Sequence, residues 1–283
     1  MKTVGFILKR DVAKAHEIAQ TLTNVLVSHG VKVLLGDDAQ PLERAQTVDR
    51  DDLAKSVECL IVVGGDGTFL AAAKQTFGLP TKLIGVNMGH LGFLTEVDLN
   101  NAENLTERLL EGGYTCAERP FFTLSLERDG KTITEPFLND AVLQRDAHEK
   151  VIEYSVDVGS QYMMSGKADG LIVATPTGST AYNLSTGGPI VYPTIDGLIL
   201  SPISPHKLSF RPVVIPPRDV VIGLKSPHAH LSIDGRPMGK LLMGEKLVVH
   251  KSEHTAKLLH DPRHNFFDLL RFKLGWDLPP GMQ

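Results

Sequence analysis

The segment Cys59-Leu60-Ile61-Val62-Val63 is apolar without interruption, and it breaks at once into Gly64-Gly65-Asp66-Gly67-Thr68. Five consecutive apolar side chains without alternation describe a strand covered on both faces, as in a parallel sheet wrapped by helices. The surrounding sequence repeats the pattern. Residues 4–8 and 31–35 are short apolar runs. Between them Val12, Ala15, Ala19, Leu22, Val25 and Leu26 recur at helical spacing up to Gly30, a C-terminal stop. Further helices are predicted over residues 51–57 and 69–76, a strand over 83–86, and an amphipathic helix over 101–111 with Leu105, Leu109 and Leu110 inward. This βαβα alternation predicts an α/β N-terminal domain with an open parallel sheet, spanning residues 1–118.

After Pro120 the texture changes. Residues 122–127 alternate, Arg128-Asp129-Gly130 is a hairpin turn signal, and residues 131–134 resume. A second hairpin is read over 152–158 and 161–165 around Gly159-Ser160, and short strands follow at 171–174, 213–215, 220–224, 230–233 and 246–250. Frequent prolines imply edges and bends, so residues 119–255 are expected to form a β-sandwich-like domain. The tail, residues 256–283, is expected to carry a helix over 265–274 that packs back on the first domain.

Composition narrows the function. A net charge of −4 argues against a nucleic-acid binder that relies on a global basic field. No stretch approaches the ~20 apolar residues of a membrane span, and the N-terminus shows no signal-peptide pattern. Cys59 and Cys116 form no disulfide framework and no CxxC pair, which fits a reducing, cytoplasmic setting. His228 and His230 flank Ala229 without a nearby Cys or acidic partner in the sequence, so they are read as strand-surface residues rather than metal ligands.

Three glycine clusters follow predicted strands. Gly64-Gly65-Asp66-Gly67-Thr68 has the strand–turn–helix order that offers backbone N–H groups and a helix start to phosphate. No GxxxxGK[ST] is present, and a GxGxxG read from Gly65 fails at Leu70. A carboxylate in such a turn repels phosphate, which points to a catalytic or metal role for Asp66; a helix cap near Phe69 explains it equally well at this level. Asn87-Met88-Gly89-His90-Leu91-Gly92-Phe93-Leu94 follows the next strand and is expected beside Asp66, because loops at strand carboxyl ends converge. Leu91, Phe93 and Leu94 read as core anchors, and Phe93 also as a pocket wall. The third cluster runs from Lys167-Ala168-Asp169-Gly170 through Thr175–Gly188, where hydroxyls crowd a short helix. It suits a sugar–phosphate ligand, with Tyr182 available to stack on a base; a polar crossover loop capped by Ser and Thr is the alternative, and the density of hydroxyls at a strand end favours binding.

Together these segments, with Asn139-Asp140, Pro205-His206-Lys207-Leu208-Ser209 and Arg211-Pro212, resemble the bacterial-type NAD kinases over nearly the whole chain. The Gly-Gly-Asp-Gly-Thr turn alone is shared with phosphofructokinases and with diacylglycerol and sphingosine kinases. The resemblance implies ATP-dependent phosphorylation of the 2′-hydroxyl of the adenosine ribose of NAD, giving NADP. It implies Asp66 as general base, with Gly67 beside it, and Gly64, Gly65, Gly67 and Thr68 as the phosphate-binding turn. Asn139 and Asp140 match a pair that holds ribose hydroxyls, and Asp169 a carboxylate toward the nicotinamide. Thr180, Ala181, Tyr182, Asn183, Leu184 and Ser185 match the segment lining the dinucleotide site, and Phe93 is counted among the NAD-binding residues. Lys167 sits where relatives carry a basic residue, while Lys150 and Arg236 align in variable stretches. The same resemblance implies Mg²⁺ or another divalent cation brought with ATP, a homodimer or homotetramer, and neither nucleic acid nor membrane as partner. A lipid kinase would carry an apolar or basic amphipathic docking element, which the sequence lacks. A non-catalytic NAD sensor would have no use for Asp66.

Overall fold

The computed structural model describes residues 1–88, 92–95, 97, 102–146, 150–263 and 265–276. The chain divides into two compact units, Met1–Glu118 with Ala256–Gln283, and Arg119–Thr255.

The first unit contains β1 (Thr3–Leu8), α1 (Ala13–Ser28), β2 (Lys32–Gly36), β3 (Gln46–Val48), α2 (Arg50–Leu53), β4 (Cys59–Val63), α3 (Asp66–Gln75), β5 (Lys82–Val86) and α4 (Ala102–Glu111). All five strands are parallel, in the order β5-β4-β1-β2-β3. The unbroken apolar run has the expected consequence: every residue of β4 is buried. α1 turns Ala15, Ile18, Ala19, Leu22 and Leu26 into the core and ends before Gly30, whose φ of +77° an L side chain rarely adopts. The helix expected from Phe69 starts three residues earlier, at Asp66, because the first turn has no apolar residue for periodicity to register. The stretch read as a helix over 51–57 is α2 followed by a 3₁₀ turn, Ala54–Ser56.

β6 (Thr115–Arg128) leads into the second unit, with β7 (Lys131–Phe137), β8 (Asp140–Gln144), β9 (Ile152–Val158), β10 (Gln161–Ala168), β11 (Gly170–Ala174), α5 (Tyr182–Ser185), β12 (Leu198–Ile203), β13 (Val213–Ile215), β14 (Val220–Leu224), β15 (His228–Ile233) and β16 (Arg236–Leu242). β17 (Lys246–His260) pairs with β14 through Val249, and its last residues pair in parallel with β5. One antiparallel sheet runs β13-β12-β11-β8-β15-β16. Its inward residues, among them Leu143, Val173, Leu200 and Leu231, form one core with Phe122, Tyr154, Ile222 and Val249 from the facing strands. The second unit is therefore the expected sandwich. β8, β12 and β16 were not read from the sequence. In β12, Pro202 sits opposite Leu171, while β13 covers only Leu198–Leu200 on the other edge. Beyond Leu200 that edge is open, so the missing N–H costs no ladder bond.

The tail forms α6 (Phe266–Leu274) within the first unit. Asn265 and Asp268 complete a reciprocal capping box, Leu269 and Leu270 are buried, and Gly275 closes the helix in the left-handed region.

Candidate active site

In the first unit the site is built around Asp66. Gly65 is the residue before α3 and Asp66 is its first residue, so the carboxylate does not cap its own helix. It reaches instead to the loop after β5. Oδ2 accepts from the Phe93 N–H at 3.0 Å, and Oδ1 accepts from the Leu94 N–H and the Thr95 hydroxyl, both at 3.1 Å. The side chain is thus held by a second loop and makes no cap bond to its own helix. Two glycines make the arrangement possible. A Cβ on Gly92 would lie 2.1 Å from Asp66 Oδ1, and one on Gly64 would lie 2.6 Å from the Thr68 hydroxyl. Gly65 and Gly67 face open space, leaving the first N–H groups of α3 without a side-chain cap at the positive end of the helix. Phe93 is half-buried, its ring 6.3 Å from that of Phe266 on α6. Leu94 is likewise half-buried, and Gly89, His90 and Leu91 lie outside the described residues.

In the second unit Asn139 and Asp140 stand at the start of β8, both buried. Their backbone N–H groups, with that of Leu138, all donate to the carboxylate of Asp234, at 2.8 Å, 3.1 Å and 3.0 Å respectively. Asp234 and Gly235 form the β15–β16 turn with φ of +47° and +73°, a conformation that Asp tolerates and Gly prefers. Burial pushes the Asp140 carboxyl up to about 7, Asp234 adds to the rise, and the Tyr182 N–H opposes it. Burial also raises Asp234, against its three backbone donors and Arg236. Asn139 Oδ1 is buried without a hydrogen-bond partner among the described residues, an acceptor left for a ligand or water.

Side-chain alternation on β8 puts Asp140, Val142 and Gln144 on the face opposite the sandwich core. The segment Thr177–Ser185 lies over that face. Tyr182 donates its N–H to Asp140 at one end of β8, and its hydroxyl accepts from Gln144 Nε2 at 3.4 Å toward the other. Tyr182 and Ser185 are exposed; Thr180, Ala181 and Leu184 are half-buried. Asn183 is different. Its amide donates to Ser179 O and Pro189 O and accepts from Ser201 Oγ at 2.6 Å, so its polar atoms are consumed inside the fold.

Asp169 lies at the opposite end of β11 from Asp140, paired with Arg145 Nε at 2.6 Å. Lys167 on β10 is exposed, 3.4 Å from Glu153. Lys150 is exposed and follows residues outside the description, and Arg236 is exposed beside Asp234. His228 and His230 lie on the outer face of β15, where His230 Nε2 meets Asp146 at 3.1 Å and His228 Nε2 accepts from Lys240 Nζ at 3.0 Å. Sequence reasoning missed Thr95, Gln144, Arg145 and Asp234. Only Asp234 carried a signal, an Asp-Gly pair between two strands.

The ATP-NAD kinase N-terminal domain matches residues 4–114, and the ATP-NAD kinase C-terminal domain matches residues 138–261. An NAD kinase of Ralstonia nicotianae is 41% identical over 229 residues, covering 80% of this chain and 76% of its own. One of Solibacter usitatus is 37% identical over 281 residues, 98% of each chain. Among solved structures, yeast NADH kinase complexed with NADH superimposes with a TM-score of 0.90 at 23% identity, covering all of this chain and 90% of its own. An NAD kinase from Archaeoglobus fulgidus in complex with ATP gives 0.77 at 25% identity, covering 96% and 99%. The parallel-sheet unit with its Asp66 turn and the sandwich with its Asn139-Asp140 strand start thus coincide with the two matched domains, and the chain belongs to the NAD kinase family.

Proposed function

We propose that the chain transfers the γ-phosphoryl group of ATP to the 2′-hydroxyl on the adenosine ribose of NAD, with Asp66 Oδ2 as the general base. The observation that carries this reading is the tethering of Asp66. A carboxylate has about four acceptor positions, two on each oxygen. Leu94 and Thr95 fill those of Oδ1, while Phe93 takes one on Oδ2. The remaining position on Oδ2 is where an incoming hydroxyl delivers its proton. As the O2′–P bond forms and the bond from the γ-phosphorus to the bridging oxygen breaks, the proton passes to Oδ2 and ADP leaves.

The uncapped N–H groups of α3 take the transferring phosphoryl oxygens, so the protein's task is alignment and charge stabilisation. Asn139, Asp140, Asp169, Lys167 and the segment from Thr180 to Ser185 are assigned to NAD, with Phe93, Lys150 and Arg236 at its margins. Asn183 contributes backbone only. Magnesium enters as part of the donor substrate, where it offsets triphosphate charge. Among the described residues no group of three or more His, Cys, Asp or Glu side chains is placed to hold a metal. A homodimer or homotetramer in the cytoplasm completes the reading, on resemblance to the family. Among the described residues no helix is long and apolar enough to cross a membrane.

The test is NADP formation from NAD, ATP and Mg²⁺ by the wild type and by Asp66→Asn. The variant is expected to bind NAD with unchanged affinity while kcat falls about 10²-fold or more. Undiminished turnover excludes Asp66 as base, and phosphorylation of diacylglycerol in place of NAD favours the lipid-kinase alternative.

A further inference from the structure

The hydrogen bonds that reach the Asp66 carboxylate from the loop after β5 all come from residues 93–95, so the carboxylate goes where that segment goes. The segment has two supports of different kinds. On its later side the backbone is stitched to β5. The Val97 N–H donates to Gly85 O at 3.1 Å, and the Asn87 N–H donates to Val97 O at 2.8 Å. A Cβ on Gly85 would lie 2.6 Å from Leu94 O and 2.8 Å from the Thr95 Cα, so the two backbones touch. On its earlier side the support is a side chain from the tail. The Phe93 ring lies 6.3 Å from that of Phe266 and is tilted by 46° to it, within the range where aromatic rings attract. We infer that Phe266 is a positioning residue for phosphoryl transfer: its ring holds Phe93, and α6 thereby sets where Asp66 Oδ2 sits. The inference rests on reading Asp66 as the general base.

The contact acts on the reacting oxygen. Leu94 and Thr95, which lie against β5, bond Oδ1, whereas Oδ2 accepts from Phe93 itself. A general base must come within about 2.6–3.2 Å of the proton-bearing oxygen, and a misplacement near 1 Å costs about 10²-fold in rate. Phe266 is fixed well enough to hold such a tolerance. It is the first residue of α6, between the two members of the Asn265–Asp268 capping box. It shares a helix face with Leu269 and Leu270, both buried, three and four positions on. The chain entering α6 is clamped as well. Lys257 and Leu258 of β17 pair with Lys82 and Leu83 of β5. Asp261 then accepts from both terminal nitrogens of Arg108 on α4, Nη2 at 3.1 Å, and from the Arg263 N–H at 2.9 Å. Arg108 is itself held by Gly113 O at 2.9 Å and by the Tyr114 ring, 4.8 Å below its guanidinium. Both supports of residues 93–95 therefore trace back to β5, one directly and one through β17 and α6.

Steady-state NADP formation by the wild type, Phe266→Ala, Asp66→Asn and the variant carrying both substitutions tests the inference, with Phe272→Ala as a control on the exposed side of α6. Phe266→Ala is expected to lower kcat about tenfold with the KM for ATP unchanged. In the Asp66→Asn background the same substitution changes kcat by less than about twofold, because the base it positions is gone, whereas a loosened fold would slow both backgrounds alike. Phe272→Ala turns over as the wild type does. Hydrogen exchange gives a readout apart from turnover: the Phe93 and Leu94 N–H groups exchange roughly tenfold faster in Phe266→Ala, while that of Val97 is unchanged. If Phe266→Ala does not fold, Phe266→Leu, which keeps bulk without the ring, carries the same comparison. With Asp66→Asn slow, an undiminished kcat in Phe266→Ala, its full loss repeated on Asp66→Asn, or unaltered exchange at Phe93 overturns the inference alone. Wild-type turnover in Asp66→Asn, or no NADP from the wild type, overturns the base reading and the inference with it.

Discussion

Gly92 determines where the Asp66 carboxylate can sit. Its φ is not left-handed, so an alanine there is opposed only by the collision of Cβ with Asp66 Oδ1 and Thr95 Oγ1. Gly92→Ala is expected to displace the carboxylate and lower kcat by tenfold or more (about 10² for a misplacement near 1 Å) while NAD affinity holds; stopped-time NADP assays and calorimetry separate the two. Asp140 makes the opposite kind of demand. Its carboxyl titrates at about 7 in the folded chain, against 3.8 when unburied. Between those values the unfolded chain has released the proton and the folded chain retains it. Stability therefore falls as pH rises from about 4 to about 7, and is flat above. Asp140→Asn removes this penalty. The variant's advantage in thermal unfolding is expected to grow from near zero at pH 4 to roughly 2–4 kcal/mol at pH 8, while the NAD assignment proposed for Asp140 predicts weaker NAD binding. A pH-independent difference contradicts the burial of an ionisable Asp140. Neither effect was legible in the sequence. Gly92 and Asp66 are separated by 26 positions, and Asp234 accepts from residues more than 90 positions away.

At the scale of elements, hydrophobic patterning located α1, β4, β5 and most of the sandwich strands, because α1 and the sandwich strands turn one face to a core while β4 and β5 are covered on both. It failed where the face is short or mixed. β8 opens on buried Asp140 and closes on exposed Gln144, so its pattern resembles a loop until β11 and β15 are placed on either side. β16 is exposed along most of its length, and only its pairing with β15 makes it a strand. α6 was legible from Phe266, Leu269, Leu270 and Lys273 at helical offsets, and its ends are fixed locally by the Asn265–Asp268 box and Gly275. Asn265→Ala removes that box and is expected to cost about 1 kcal/mol, seen as a lower midpoint in urea without a change in slope. The ring of Phe266, the first residue of α6, lies against Phe93, whose N–H holds Asp66. The tail thus braces the loop that fixes the carboxylate.

At the scale of the molecule the net charge is mildly negative, and the partial positive charge at the Asp66 turn is that of the uncapped start of α3. Family membership and the two architectures follow from strings of adjacent residues, because strand–turn–helix order and alternation are local properties of a chain. The sequence by itself determined that a parallel-sheet unit carries Gly64–Thr68, that a sandwich follows, and that a carboxylate sits in a phosphate-type turn. Only the tertiary structure showed that the Asp66 side chain makes no cap bond to its own helix, by bringing Phe93, Leu94 and Thr95 to it. It alone also placed Asp234 under Asn139 and Asp140, and consumed Asn183 within the fold. The reason is that a hydrogen bond between loops depends on where the sheet carries each strand end, and no spacing in the sequence encodes that distance.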